Sequence, residues 1–394
     1  MNKKILAAVS SAALVLGATS ANAGIIIPAG EWTLDVNGNV NVYVTAQDYD
    51  DTSANATAGG LAGTKDATGE DKNYSINTGL LPAWLGFTGT TRQNDLDVSF
   101  TISMQPGTSG SDVAGDSGTT LWRQAFLTFG DASWGTVKMG KDLGIFAGQA
   151  ILNDMTLLGV GGGYGISGTA TTLGGIGTGY VYPSWKGQVA YTTPNMNGLQ
   201  LTVALTNPNQ SIEAGTTTTY QDRLGLEAGL TYALENGKIW ASGASYEVDN
   251  GTDSWDATAG DVGITYNFGN LGLTAYGYVT DGVGATMFSG YHPSNATNAY
   301  GHDGSSEREG QGGYLQATYV IPSGTKLGVA YGISELDDGG ANTSDLENER
   351  WTVGAYHPLT KHLNLVAEVN VMESDDETNT NESKALSLGA ILFF

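Results

Sequence analysis

Cysteine is absent from the 394-residue chain, so a disulfide framework and thiol chemistry are both excluded. Histidine is scarce, with four residues, and proline numbers 9 against 58 glycines. Basic side chains are also few: 16 Lys and Arg stand against 40 Asp and Glu, for a formal charge of −24. Such a chain repels nucleic acid and anionic surfaces. Beyond the N-terminus no stretch of 18 apolar residues occurs, which excludes a transmembrane helix. Low charge density with few aromatics would suit a disordered chain. A long series of patterned segments argues against that.

What is present begins with the first 23 residues. Met1–Lys4 is a short basic start, Ile5–Ala18 is apolar, and Ala21-Asn22-Ala23 is an A-x-A cleavage site. Together they read as a secretory signal peptide. The apolar stretch is too short for a membrane anchor, which needs about 20 residues. Cleavage after Ala23 leaves Gly24–Phe394 as one domain and, by removing Lys3 and Lys4, makes the charge more negative by two.

The rest of the chain alternates. In "WTLDVNGNVNVYV", Trp32, Leu34, Val36, Gly38, Val40, Val42 and Val44 share one face, and Thr33, Asp35, Asn37, Asn39 and Asn41 share the other. That is a period-2 strand with divided faces. The pattern returns near residues 80–90, 95–105, 121–129, 136–141, 184–192, 198–206, 222–232 and 238–247. It continues at 257–267, 271–279, 312–320, 325–333, 350–357, 363–372 and 384–394. Sixteen segments of roughly ten residues result, the length at which a tilted strand crosses a bilayer.

Connections alternate between short and long. "TTRQND", "GDASWG", "TPNMNG", "LENGK", "FGN", "PSGT" and "PLTKH" are short, and eight long loops lie between them, with both termini on the short side. A water-soluble sandwich has no reason to sort loops by end, whereas an outer-membrane barrel has short periplasmic turns and long external loops. An even strand count lets an antiparallel sheet close without an edge in lipid. The sequence therefore predicts an all-β fold, a 16-stranded antiparallel transmembrane β-barrel. Trp32, Trp122, Phe129, Trp185, Tyr232, Tyr246, Tyr266, Tyr319, Trp351 and Phe394 lie near segment ends, as interfacial aromatic girdles require. The last segment, "KALSLGAILFF", places Leu386, Leu388, Ala390 and Leu392 outward and ends on an aromatic residue.

One connection breaks the rule of polar loops. "GKDLGIFAGQAILNDMTLLGVGGGYG", residues 140–165, is apolar and partly helical, and no strand pattern returns until about residue 184. A connection that long and that apolar should not hang in water. A lumen of sixteen strands is too wide for side chains to fill. The connection over about 142–183 is therefore expected to fold inward and narrow the bore, where irregular backbone can line water and protein. Ile145, Phe146, Ile151, Leu152, Met155, Leu157 and Leu158 would press on the wall, and Asp142 and Asp154 would face the water. Glycines 159, 161, 162 and 163 would let the backbone turn back.

The stretch "RQAFLTFGDASWGTVKMGK" followed by "NDM", with "PAWLGFTG" at 82–89 and "YTTPNMNGL" at 191–199, resembles the general, non-specific porins of Gram-negative bacteria. That resemblance implies a 16-stranded trimeric barrel in the outer membrane. It also implies basic wall residues facing an acidic constriction loop. Carried over by position, Lys141 takes the place of a wall arginine and Arg123 that of a second inward base. Trp84 stands where the second-strand motif usually has arginine. The loop's Pro-Glu-Phe-Gly-Gly segment is replaced by Leu157-Leu158-Gly159-Val160-Gly161. The transverse field at the eyelet should thus be weaker than in the family at large.

Alternation independently turns Lys138, Lys186, Arg223 and Arg350 into the lumen, with Asp35, Asp97, Glu227 and Glu368. The expected pore lining is then Asp142 and Asp154 on an acidic side; Arg123, Lys138, Lys141, Lys186 and Arg223 on a basic side; and Trp84, Glu227 and Arg350 besides. Acidic external loops such as "SELDDGGANTSDLENE" and "MESDDETNTNES" should draw cations to the mouth. They could hold Ca²⁺ or Mg²⁺ loosely, bridging to lipopolysaccharide. "DNGTDSWD" lacks the spacing of a calcium loop, and "GVGGGYG" lacks the G-K-[ST] of a phosphate loop. His292 and His302 share one external loop, His357 and His362 flank a short turn, and no Ser-His-acid set assembles. No catalytic or metal-ligating residue and no obligatory cofactor is expected.

The reading at this stage is a passive diffusion channel for ions and small hydrophilic solutes, mildly cation-preferring, trimeric, and set among outer-membrane lipid and lipopolysaccharide. Two alternatives stay open. One is a channel selective for sugars or dicarboxylates, with Tyr164, Tyr180, Tyr182 and Trp84 as an aromatic track. The other is a structural or adhesive barrel with a plugged lumen.

Overall fold

The computed structural model describes residues 24–106, 120–163, 171–207, 223–249, 254–286, 299, 301–303, 305–338 and 344–394. The signal segment, Tyr164 and His292 lie outside them. Sixteen strands close a barrel: β2 (Trp32–Tyr49), β4 (Trp84–Gln93), β5 (Leu96–Pro106), β6 (Thr120–Asp131), β7 (Gly135–Leu143), β8 (Trp185–Thr192), β9 (Leu199–Thr206), β10 (Gly225–Leu234), β11 (Gly237–Asp249), β12 (Ser254–Phe268), β13 (Leu271–Asp281), β14 (Glu309–Val320), β15 (Lys326–Leu336), β16 (Leu346–Pro358), β17 (Leu363–Asp375) and β18 (Thr380–Phe393). Each pairs antiparallel with its neighbours, and β18 returns to β2 from Ser383↔Tyr49 to Phe393↔Asn39. Gly38 and Phe394 exchange both backbone hydrogen bonds, at 2.8 and 3.0 Å, so the terminal aromatic residue is tied into the seam.

The period-2 pattern places each face as anticipated. Val40, Val42, Val44, Leu201, Val203, Val262, Leu315, Val353 and Leu388 all point outward and are exposed, and their neighbours in sequence point in. Without water in the hydrocarbon, a closed ladder is what satisfies every backbone group of such a sheet. Trp122, Tyr232, Tyr319 and Trp351 stand out from the barrel as girdle residues do. Tyr246 departs from that expectation. It lies on the inward parity of β11, fully buried, because proximity to a strand end says nothing about the face.

Two short strands were not evident from the pattern. β1 (Ile25–Ala29) folds back on the start of β2, and β3 (Lys72–Asn77) pairs with its upper half, from Tyr43↔Asn77 to Asp48↔Lys72. Between β3 and β4 the ladder is interrupted at Thr78–Ala83, where the expected strand should already have begun. Pro82 has no N–H to give, and the chain leaves the wall toward the lumen. Inward asparagines of β2 replace the lost ladder. The Asn41 amide donates to Leu81 O at 2.9 Å and its carbonyl accepts from Gly79 N, while the Asn39 amide donates to Pro82 O at 3.0 Å.

The connection between β7 and β8 folds into the barrel. It carries a short helix, α1 (Gly148–Asn153), and a 3₁₀ turn over Met155–Leu158. Phe146, Ala147, Ala150, Val160, Tyr180 and Val181 are wholly buried and join one apolar cluster with inward wall residues Tyr43, Trp240, Tyr276, Tyr314 and Tyr356. Burial of that apolar surface favours the inward position over an external one.

Candidate pore constriction

Carboxylates of the barrel wall hold the inward loop by its backbone. The Glu227 carboxylate on β10 accepts hydrogen bonds from the N–H groups of Ile145 and Phe146. Asp261 on β12 accepts from Ala147 N at 3.0 Å. These amides lie at the start of α1, whose cap residue Ala147 offers no side-chain acceptor and sits at φ +57°. The wall thus supplies the acceptors and the negative charge that a helix N-terminus leaves wanting. Farther along, Glu368 on β17 accepts from Val160 N and Gly161 N, both at 2.9 Å, and from the Tyr356 hydroxyl at 2.7 Å. Gln316 accepts from Met155 N, and Ser334 accepts from Gly179 N. A Cβ on Gly159 would come within 1.9 Å of the Glu368 carboxylate, so glycine is required for this close approach.

The inward Thr78–Ala83 segment locks the other side of the loop. Leu80 N donates to Gly159 O at 3.0 Å, and Thr172 N donates to Gly79 O at 3.2 Å. The loop is therefore clamped between an arc of wall from β10 to β17 and an inward kink of the chain beside β2.

The candidate residues fall in distinct places. Asp142 lies on the wall, at the end of β7, rather than on the loop. It is 1% exposed, paired with Lys138 at 2.6 Å and bonded to the Gln124 amide at 2.8 Å. Asp154 is on the loop but 5% exposed. It caps the 3₁₀ turn through Thr156 N, accepts from the Tyr180 hydroxyl at 2.8 Å, and lies 3.7 Å from Arg350. The expectation that both acids face water is corrected: Asp142 is engaged within the wall, and Asp154 within the loop and against Arg350. Lys186 is buried against Glu227 at 2.5 Å, and Tyr246 donates to the same carboxylate. Arg350 also bonds Thr352 at 2.7 Å. Trp84 is buried with its ring 5.9 Å from Trp185, and the Arg123 guanidinium lies 6.0 Å from the Trp185 ring.

Two of the expected wall bases are not brought to the lumen. Lys141 is exposed and shares the parity of Met139, which faces out. Arg223 precedes β10 and reaches Ser245 and Asp256, at 3.0 and 2.6 Å, on the outer side of the external rim. Tyr180, fully buried, presents no free aromatic surface for a track. At the periplasmic rim Arg92 pairs with Asp97 at 2.8 Å and Asp131 at 2.9 Å. Hydrogen bonds from Ser133, then Arg92, hold the Asp131 carboxyl well below its ordinary range. Lys238 and Lys326 were missed by the sequence reading, although their parity against the exposed Ile239 and Leu327 marks both as inward.

Among the described residues no group of three or more His, Asp and Glu is arranged to hold a metal. His302 stacks on Trp255, with ring centroids 4.6 Å apart, and His357 bonds Thr325. What the arrangement can do is obstruct and bias a passage.

The sequence profile of a family described as Gram-negative porin matches residues 10–377. No curated protein matches the sequence. Among solved structures, the anion-selective porin from Comamonas acidovorans superposes with a TM-score of 0.65 at 16% identity, covering 92% of this chain and 100% of that one. The outer membrane channel DcaP of Acinetobacter baumannii gives 0.67 at 17% identity, covering 94% and 100%. OmpT of Vibrio cholerae, in a trimer form, gives 0.56 at 12% identity, covering 92% and 99%. At such identities these likenesses show the fold, and the family match shows the kinship. A closed barrel of sixteen strands, an inward loop and a profile spanning most of the chain place this protein in the outer membrane, and the chain belongs to the Gram-negative porin family.

Proposed function

We propose that the protein is a passive diffusion channel for ions and small hydrophilic solutes, exported with cleavage after Ala23 and working as a homotrimer. The observation that carries this reading is the one-sided attachment of the loop. Among the described residues from Gly144 to Pro183, side-chain hydrogen bonds between loop and wall fall on β2, β10–β12 and β14–β17, and none on β4–β9. A bore would then run along the β4–β9 arc past polar inward residues that are only half-buried, such as Thr88, Ser99, Thr101 and Lys138. Size exclusion acts there, and no bond is made or broken.

The mild cation preference rests on the excess of acidic over basic side chains, 40 against 16, and on the acidic external loops of the sequence. The lumenal ion pairs Lys138–Asp142, Lys186–Glu227 and Arg350–Asp154 largely cancel. The upper ends of β15–β18 carry Glu335, Glu347, Glu349, Glu373, Asp375 and Glu382 on the outward parity of Trp351, where they could bind Ca²⁺ or Mg²⁺ loosely against lipopolysaccharide. The trimer rests on family kinship and on the trimer form of the Vibrio relative. Swelling of liposomes containing the purified protein tests the channel. Rates should fall smoothly with solute size across neutral sugars. Uptake of one sugar alone, out of line with its size, would favour a selective channel, and no swelling at all a plugged barrel.

A further inference from the structure

The barrel wall is not equally tall all round. β7, β8 and β9 run for 9, 8 and 8 residues, against 13, 15, 13, 13 and 14 for β11, β12, β16, β17 and β18. Eight residues at about 3.4 Å each, tilted by about 40°, rise roughly 20 Å, short of the apolar band of about 25 Å that such barrels present to lipid. Hydrocarbon packed on the low arc would therefore reach past the strand ends, where the chain leaves its ladder and lipid offers backbone groups no partner.

Lys141 stands on this low arc. It is exposed on the outward face of β7, beside Met139, and only six residues from the periplasmic strand end at Gly135. On β15, β16 and β18 the first outward carboxylate or ammonium, Glu335, Glu349 or Lys384, stands nine residues from that end. Lys141 thus carries its charge to a depth at which those strands are apolar, and an ammonium there is strongly unfavourable against lipid. Among the described residues it makes no hydrogen bond and no ion pair. Its register partners on either side are small, Ala125 on β6 and Gly187 on β8. Beyond Gly187 lies Asn207, exposed at the end of β9, its amide nitrogen 2.9 Å from where a Cβ on Gly187 would stand. Lys141 and Asn207 so flank a shallow polar hollow, above the exposed apolar row of Leu127, Met139, Val189 and Leu205.

We propose that the outer face of β6–β9 around Lys141 and Asn207 packs against a second copy of this chain instead of lipid. The copy covers the low wall and supplies oxygen acceptors to the ammonium. The inference rests on the trimer reading and names the contact surface. A ring of three copies closed in this way leaves the taller arc to lipid, where Val279, Leu315 and Val353 are exposed and outward charges keep to the external end.

The test is photocrosslinking in native membranes. Met139→p-benzoylphenylalanine, directly below Lys141, should give covalent dimers of the chain. Leu315→p-benzoylphenylalanine, on the far side of the barrel, should give adducts with lipid or lipopolysaccharide only. Lys141→Leu should raise the ratio of dissociated to assembled protomers in dilute detergent about tenfold, the worth of one hydrogen bond to a charged group, and Lys141→Arg should hold it near wild type. Trimers in which position 139 gives only lipid adducts, in which position 315 also gives dimers, or in which Lys141→Leu leaves dissociation unchanged overturn this surface and leave the trimer standing. A wild-type chain that is monomeric in both membranes and detergent refutes the trimer and the surface together.

Discussion

Replacing Glu368 by glutamine should detach the middle of the inward loop without disturbing the barrel. The carboxylate accepts two backbone amides, Val160 and Gly161, at 2.9 Å and one hydroxyl, Tyr356, at 2.7 Å. A hydrogen bond to a charged acceptor contributes about 1.5–3 kcal/mol and one to a neutral acceptor about 0.5–1.5 kcal/mol. The amide of Gln can still take the two N–H groups, and the Tyr356 hydroxyl can turn to accept. The loss is therefore about 1 kcal/mol for each amide contact, or roughly 2–2.5 kcal/mol in all. That shifts the balance of attached and detached loop roughly fiftyfold. Thr172 reports it well. It is 3% exposed, its N–H donates to Gly79 O, and its hydroxyl donates to Val160 O at 2.6 Å, next to the latch. In a Thr172→Cys background, Glu368→Gln should raise the labelling rate by a water-soluble maleimide by about that factor, with unchanged heat-dependent mobility of the folded barrel on gels. Equal labelling rates with and without Glu368→Gln would refute the reasoning, since the loop would then be held by its apolar face alone.

Other predictions concern the same clamp and the outer rim. Gly159→Ala should open the channel more than its size suggests. The new methyl falls 1.9 Å from the Glu368 carboxylate, and larger, noisier conductance steps are the expected readout. Asp154→Asn should change open-channel noise more than reversal potential, because the carboxylate is buried against Tyr180 and Arg350. A large shift toward anions would instead put Asp154 in the water path. Glu347, on the outer face above Trp351, is pushed up to about 7 by burial and then by Glu349, Glu335 and Asp375. The folded form thus holds this proton more tightly than the unfolded chain. The stabilisation is full below the ordinary carboxylate range and lost as pH rises through about 7. Glu347→Gln should therefore raise the unfolding temperature at pH 8 and leave it near wild type at pH 4.

The barrel was legible because its signal is local and repeated. Lipid on one face and water on the other impose period 2, and a slip of one residue would turn every side chain over. The break at Thr78–Ala83 was not legible, since its ladder is replaced by Asn39 and Asn41, some forty residues away. The loop's inward path followed from its apolar content, but its latches did not. Glu368 lies 208 residues from Val160, and a carboxylate that accepts backbone amides leaves no pattern in the partner's sequence. The same reason explains Asp154, read as facing water when it caps a turn. Lys141 shows the opposite failing. Resemblance placed it on the lumen wall, whereas its own parity with Met139 turns it outward.

Conductance of the purified protein in a planar lipid bilayer bears most directly on the claim that water fills the cylinder these strands enclose. Stepwise, nearly ohmic increments in KCl, with a reversal potential displaced modestly toward that of the cation in a salt gradient, are the result this structure calls for. Stable insertion without current would contradict it.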